Sequence, residues 1–308
     1  MKKNSLFCTF YFLLFSFIFI TCQKQNEPEA ISLSGQPLFP IELAAETEEK
    51  NEGNLAKAKA DFDKDPDKQE NIIWLGRRTA YLWRYRDAIK IYSDGIKKYP
   101  ENYNLYRHRG HRYISIREFD KAIEDLEKAS QLIEGVPDEI EQDGQPNKYD
   151  IPTSTSHSNI WYHLGLAYYL KGDFENALHA YLECMKFSNN NDMLCATSDW
   201  LYMTYRRLGM ENEAKDVLQA ITSEMEILEN HSYHKRLLMY KGIIPPDSVL
   251  STKDAEDLDI ATQGYGVGNW YFYNGETEEA MDIFKKVVEG TYWAAFGYIA
   301  AEAELARK

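Results

Sequence analysis

Small residues return along this chain at a 34-residue beat, and that beat limits the fold more than any other feature. Gly76, Ala88 and Gly95 recur as Gly110, Ala122 and Ala129, and again, after an insertion, as Gly165, Ala177 and Cys184. Such a period is the length of two short helices and their turns. Small side chains at fixed points let paired helices approach closely, while the Leu, Tyr and Trp residues between them fill the remaining space. The pattern predicts a helical repeat array rather than a compact enzyme.

The first full unit, residues 69–102, carries Leu75-Gly76, Ala88, Tyr92, Gly95 and Pro100. The second, 103–136, carries Tyr106, Gly110, Tyr113, Ala122, Leu126 and Ala129, and the third, 158–191, carries Trp161, Leu164-Gly165, Tyr168, Ala177 and Tyr181. A fourth, 195–228, has Leu201, Tyr205, Gly209, Ala214 and Leu218, but Tyr202 stands where a small residue is expected, so this helix pair is expected to splay. The last, 261–294, has Val267-Gly268, Tyr271, Gly275, Ala280 and Phe284. Ala280 follows Ala214 by nearly two repeat lengths, which leaves 229–260 as a degenerate unit.

These residues resemble the tetratricopeptide repeat. The resemblance covers roughly residues 50 to 308 and implies an all-α, right-handed superhelical solenoid of antiparallel helix pairs over 46–308. Residues 54–66 then read as an unpaired helix at one end, and 293–307 as a closing helix, with 295–308 as the cap. The resemblance implies binding rather than catalysis, although a fold does not dictate a function.

The N-terminus bears on compartment. Lys2 and Lys3 precede an apolar run over 6–20 that is short for a membrane span and about right for a signal-peptide core. The run ends in Phe19-Ile20-Thr21-Cys22, which resembles a bacterial lipoprotein signal. The expectation is a signal peptide over 1–21, lipid on Cys22, and a cell-envelope protein of the outer membrane. Residues 22–45 are polar and proline-containing, and read as a flexible tether. Removal of the leader lowers the net charge from −14 to −16, which disfavours nucleic acid as a partner.

Cys184 and Cys195 are the two cysteines left beyond the leader and Cys22. Cys184 fills a slot for a small residue, and a disulfide with Cys195 would be open to the pair in an oxidising compartment. Neither has the neighbours of a catalytic thiol or a zinc site. No cofactor is implied.

Function is expected in the concave groove, which the first helix of each pair lines in this family. Transferring that geometry selects Arg77, Arg107, His111, Tyr162, Tyr169, Asp199, Arg206, Tyr265, Asn269 and Tyr273. Arg77, Arg107 and Arg206 are expected to converge on one surface. Arginine grips carboxylates with a planar fork and tyrosine offers flat area with a hydroxyl, so the lining suits an anionic protein or peptide partner, or a glycan. The family's carboxylate clamp pairs a Lys with an Asn one turn away, whereas Asn269 here has Tyr265 in that place.

Three features stand outside the repeat pattern. Arg107-His108-Arg109-Gly110-His111-Arg112 is the densest cluster of versatile side chains and the only place an enzyme reading could start, but it has no nucleophile and base pair and no metal-ligand spacing. The insertion 137–157, with three prolines and five acidic residues, reads as an ordered loop or a lid over the groove. Gly264, Gly266 and Gly268 superficially suggest a phosphate loop but fall inside a repeat helix, where close packing explains them.

Overall fold

The computed structural model describes residues 27–250 and 257–307; the leader and Cys22 lie outside the described residues. A two-stranded antiparallel ribbon, β1 (Ala30–Ile31) and β2 (Pro37–Leu38), comes first, followed by α1 (Ala45–Lys64). Helix pairs then follow: α2 (Gln69–Ala80) with α3 (Tyr85–Lys98), α4 (Tyr103–Ser115) with α5 (Phe119–Leu132), and α6 (Ser156–Lys171) with α7 (Phe174–Met185). Next come α8 (Asn191–Arg207) with the short α9 (Glu211–Val217), α10 (His231–Tyr240) with α11 (Pro246–Leu250), and α12 (Asp257–Tyr273) with α13 (Thr277–Val288). The chain closes on α14 (Phe296–Ala306). Each helix packs on the next through α8, and the first helices of the pairs, α2, α4, α6, α8, α10 and α12, also touch one another to form an inner row.

Local sequence sets the helix boundaries. The Asn102 side chain accepts from Asn104 N at 2.9 Å to open α4, Asn190 accepts from Met193 N at 3.0 Å to open α8, and Thr155 and Ser158 form a reciprocal capping box ahead of α6. The turn inside each pair bends through a left-handed residue. In the last four pairs this is Gly172, Gly209, Gly242 or Gly275, with φ between 72° and 90°. In the first two pairs it is Trp83 at φ 61° and Arg117 at φ 68°. Side chains at such angles cost about 1–2 kcal/mol each, so something must hold these two in place.

The 34-residue beat has a packing cause. Gly76, Gly110, Gly165 and Gly268 each face a bulky residue 16 positions later on the second helix of the pair: Tyr92, Leu126, Tyr181 and Phe284. A Cβ on Gly165 would lie 2.7 Å from the Tyr181 ring, and one on Gly268 would lie 2.7 Å from Phe284. Ala88, Ala122, Ala177, Ala214 and Ala280 are fully buried at the same crossings. Close packing of Gly264 on Val287 and Gly266 on Arg236 likewise accounts for the glycine run in α12.

The two ends depart from the sequence reading. Residues 27–44 are docked rather than a free tether: Glu29 accepts from Arg86 N at 3.0 Å, Ala30 is buried in the main core, and Leu33 N donates to Glu302 at 2.9 Å. Phe39 O accepts from the Trp293 indole at 2.6 Å. Nor is α14 merely an end cap. It packs on α12, α13 and α6, and residues 297–304 are all buried. Glu302 pairs with Arg117 at 2.8 Å, and Glu304 pairs with Arg207 of α8 at 2.9 Å, so the last helix crosses the inner row. The ribbon and α14 together link the first pairs to the last. Cys184 and Cys195 are buried free thiols, and burial pushes both up to about 12.

Candidate functional site

The crossing of α14 divides the expected groove into a filled part and an open part. Tyr169, Asp199, Tyr265 and Asn269 are fully buried. The Tyr169 hydroxyl accepts from Tyr265 at 2.8 Å and from Asn269 at 2.9 Å, while Arg207 donates to both Asn269 and Glu304. Asp199 is held in a two-pronged pair by Arg236, a residue the groove geometry had not selected; burial raises its carboxyl to about 6 against the pull of that guanidinium. The Tyr162 hydroxyl lies 3.0 Å from that of Tyr233 and its ring packs on Tyr181 and Phe296. Arg206 bonds to Tyr273 O and Asn274 at the end of α12, with its guanidinium 4.4 Å from the centre of the Tyr273 ring. Tyr162 packs on Phe296 and the Tyr265 hydroxyl reaches Glu304, both of α14, so that helix fills the space beside them, whereas Asp199 is taken by Arg236 and Arg206 by the end of α12.

Arg77, Arg107 and His111 meet at one open cavity of about 220 Å³. Helix α2 supplies Arg77 and, just past its end, Tyr81; α4 supplies Arg107, His108, His111 and Arg112, and α6 supplies Asn159 and His163, while the insertion roofs the cavity with Glu141, Gln142 and Asp143. Arg206 is not part of this lining, so two of the three arginines converge and the third does not. The insertion is anchored by an isolated bridge between Ile140 and Thr155 and by Asp138, which accepts from His157 N at 3.1 Å.

The polar geometry centres on Glu141. Its carboxylate lies 3.2 Å from Arg107 Nη2 and 3.7 Å from Arg77 Nη1, and it accepts from Asn159 Nδ2 at 3.0 Å. Arg77 also donates to Gln142 O at 2.9 Å, and Arg78 donates to Gly144 O at 2.7 Å. Arg107 donates to His108 Nδ1 at 2.8 Å, which fixes the His108 proton on Nε2, while its own Nε is buried without a hydrogen-bond partner. Arg112 has no carboxylate partner among the described residues; its guanidinium lies over the Tyr85 ring.

Burial, followed by the charge of Arg107 or Arg112, holds His108, His111 and His163 well below 6.5. The three imidazoles are therefore neutral at physiological pH. His163 donates from Nδ1 to Asn159 O at 2.6 Å, leaving Nε2 as an acceptor, and its ring lies 4.3 Å from that of His111. The cavity thus combines fixed cationic donors with neutral imidazoles. It suits a carboxylate or another oxyanion. No group of three His, Cys, Asp or Glu side chains among the described residues is placed to hold a metal.

Sequence reasoning missed His163 and Glu141. His163 was findable, because it occupies the register of His108 once the 21-residue insertion is removed. Glu141 was not, since nothing in an acidic loop says which carboxylate reaches which arginine.

A tetratricopeptide repeat family model matches residues 158–191. The chain is 25% identical over 202 residues to the BBSome complex member BBS4 of Bos taurus, covering 66% of this chain and 32% of that protein. It is 25% identical over 162 residues to the small glutamine-rich tetratricopeptide repeat-containing protein 2 of Saccharomyces cerevisiae, covering 53% of this chain and 38% of that one. The chain therefore spans about a third of the length of these curated relatives. A solved tetratricopeptide repeat protein from Parabacteroides merdae is 17% identical, with a TM-score of 0.49 over 84% of this chain and 98% of that one. Residues 158–191 match a tetratricopeptide repeat within a solenoid of such helix pairs.

Proposed function

We propose that this chain is a lipid-anchored binding protein of the bacterial cell envelope, held at Cys22, that captures a protein or peptide partner through an anionic group received at the Arg77–Arg107–Arg112 pocket. One observation carries this reading: a protein of net charge −14 gathers three arginines of two inner helices around one open cavity, and one of them keeps a buried donor unused. Arginine is suited to the task because its fork matches a carboxylate in two places and stays charged when buried. A peptide is preferred to a glycan because most of the tyrosines selected for stacking are enclosed under α14 or within the helix packing.

The test is capture from native membranes by the anchored protein, comparing wild type with Arg107→Ala and with Arg84→Ala. Arg84 pairs with Glu52 on α1 and lies outside the pocket. A partner retained by wild type and Arg84→Ala but lost by Arg107→Ala supports the reading. Equal capture by all three overturns it.

A further inference from the structure

The way the insertion grips the pocket specifies what the pocket binds. Glu141 places its carboxylate between Arg77 and Arg107, and the backbone carbonyls of Gln142 and Gly144 are taken by Arg77 and Arg78. The chain bends at Gly144 and Gln145, where Gln145 N donates to the Asp143 carboxylate at 2.9 Å, so a turned backbone presents these carbonyls to the two arginines. The segment is also selective. Gly144 is buried against Tyr81, and a Cβ there would drive into that ring, with Cε2 at 2.7 Å. One short segment therefore supplies an acid, two backbone carbonyls, and a residue without a side chain three positions on.

The same segment is lightly held by everything else. Its ties to the rest of its loop are the Glu141 N to Ser154 O bond at 3.1 Å, the Ser156 N to Glu139 O bond at 2.8 Å and the Glu139 N to Ser156 Oγ bond at 3.4 Å. Ile140, Tyr149 and Ile151 point outward, at 70%, 52% and 50% exposure. A segment fixed by polar contacts with little apolar burial opens at low free-energy cost, and another segment of the same chemistry can take over its bonds.

We infer that residues 139–144 are a built-in stand-in for the partner, and that the partner is an acidic peptide segment of the pattern Glu-x-x-Gly, which must displace the insertion to bind. This rests on the pocket reading above and adds to it the class of ligand and its control. The cavity left behind Glu141, where Arg107 Nε is without a partner and Arg112 lacks a carboxylate, shows that the stand-in uses only part of the available donors. An incoming segment with a second acid would use more of them.

The experiment uses the full chain and a peptide copying residues 138–145 (DEIEQDGQ), blocked at both ends so that its acids are side chains alone. Glu141→Gln keeps an oxygen for Asn159 but removes the charge that competes for the arginines. It should bind the peptide about tenfold or more tighter than wild type, because the competent, open population rises. Arg107→Ala in that background should erase the gain, and a peptide with Val in place of its Gly should bind at least tenfold more weakly. Hydrogen exchange on wild type with saturating peptide should show faster exchange at the amides of Glu141 and Ser156. Equal affinity of wild type and Glu141→Gln, or binding with those amides still protected, overturns the stand-in while leaving the pocket reading intact. Failure of either protein to bind the peptide, alongside partner capture that still depends on Arg107, overturns the ligand class alone. Peptide binding that Arg107→Ala leaves unchanged overturns the pocket reading itself. Unaltered thermal melts of each variant establish that folding is not the cause.

Discussion

Arg117, at the turn between α4 and α5, donates from Nε to the Glu302 carboxylate 2.8 Å away on α14, and from Nη2 to Trp293 O at 2.7 Å. Both residues of the ion pair are buried, and Arg117 holds the left-handed backbone conformation that glycine takes in the last four pairs. The strain and the desolvated charge are tolerated together because one side chain bonds the turn to the last helix.

Removing Glu302 should therefore be expensive. Glu302→Ala leaves a buried guanidinium without its counter-charge, and about 3–5 kcal/mol of stability should be lost in urea titrations. Arg117→Gly relaxes the backbone at the same turn, so the double variant should be less destabilised than the two single losses added together. Simple additivity would show that the pair is not coupled.

The repeat register makes a prediction of opposite signs for the same substitution. Gly165→Ala forces a methyl against Tyr181 at 2.7 Å and should destabilise by about 1–3 kcal/mol. Gly53→Ala, in α1 with open space around it, should stabilise by about 0.5–1 kcal/mol. Thermal unfolding of both variants distinguishes tight crossings from ordinary helix preference.

Acid should weaken the fold through the pocket. His108, His111 and His163 are held below 6.5, so the folded protein binds fewer protons than the unfolded chain. Their contribution is complete above 6.5 and is lost as pH falls through the depressed values. Melting temperature should drop between about pH 7 and about pH 5, and the drop should be smaller in His111→Gln. An identical drop in that variant would place the acid sensitivity elsewhere.

Anchoring is tested by Cys22→Ser. The variant should leave the membrane fraction or accumulate as an unprocessed precursor, and a fatty-acid analogue should label wild type alone. Unchanged membrane retention without label would refute lipid attachment at Cys22.

The helix pairs were legible in the sequence because their cause is local and repeated. A glycine that must admit a tyrosine 16 residues later leaves the same mark in each unit, as Gly76 with Tyr92 and Gly165 with Tyr181 do. Arg77, Arg107 and His111 were legible for the same reason, since inner-row position follows from register. The filling of the groove was not. A closing helix and a helix laid across the inner row are equally apolar in sequence, and the difference lies in Glu302 and Glu304 meeting arginines 185 and 97 residues away. The ribbon at Ala30–Ile31 was hidden too, because two-residue strands carry no period.

A linear stack of repeats has two free ends, and it melts inward from whichever is weaker. The ribbon removes that option. With Leu33 bonded to Glu302, and Phe39 bonded to Trp293, the first and last parts of the chain are each other's neighbours, and α1 to α14 behave as a closed circuit. Loss of any one unit then withdraws support from both directions, so this array should unfold in a single step rather than fray, with no partly unzipped species to expose its apolar edges to proteases.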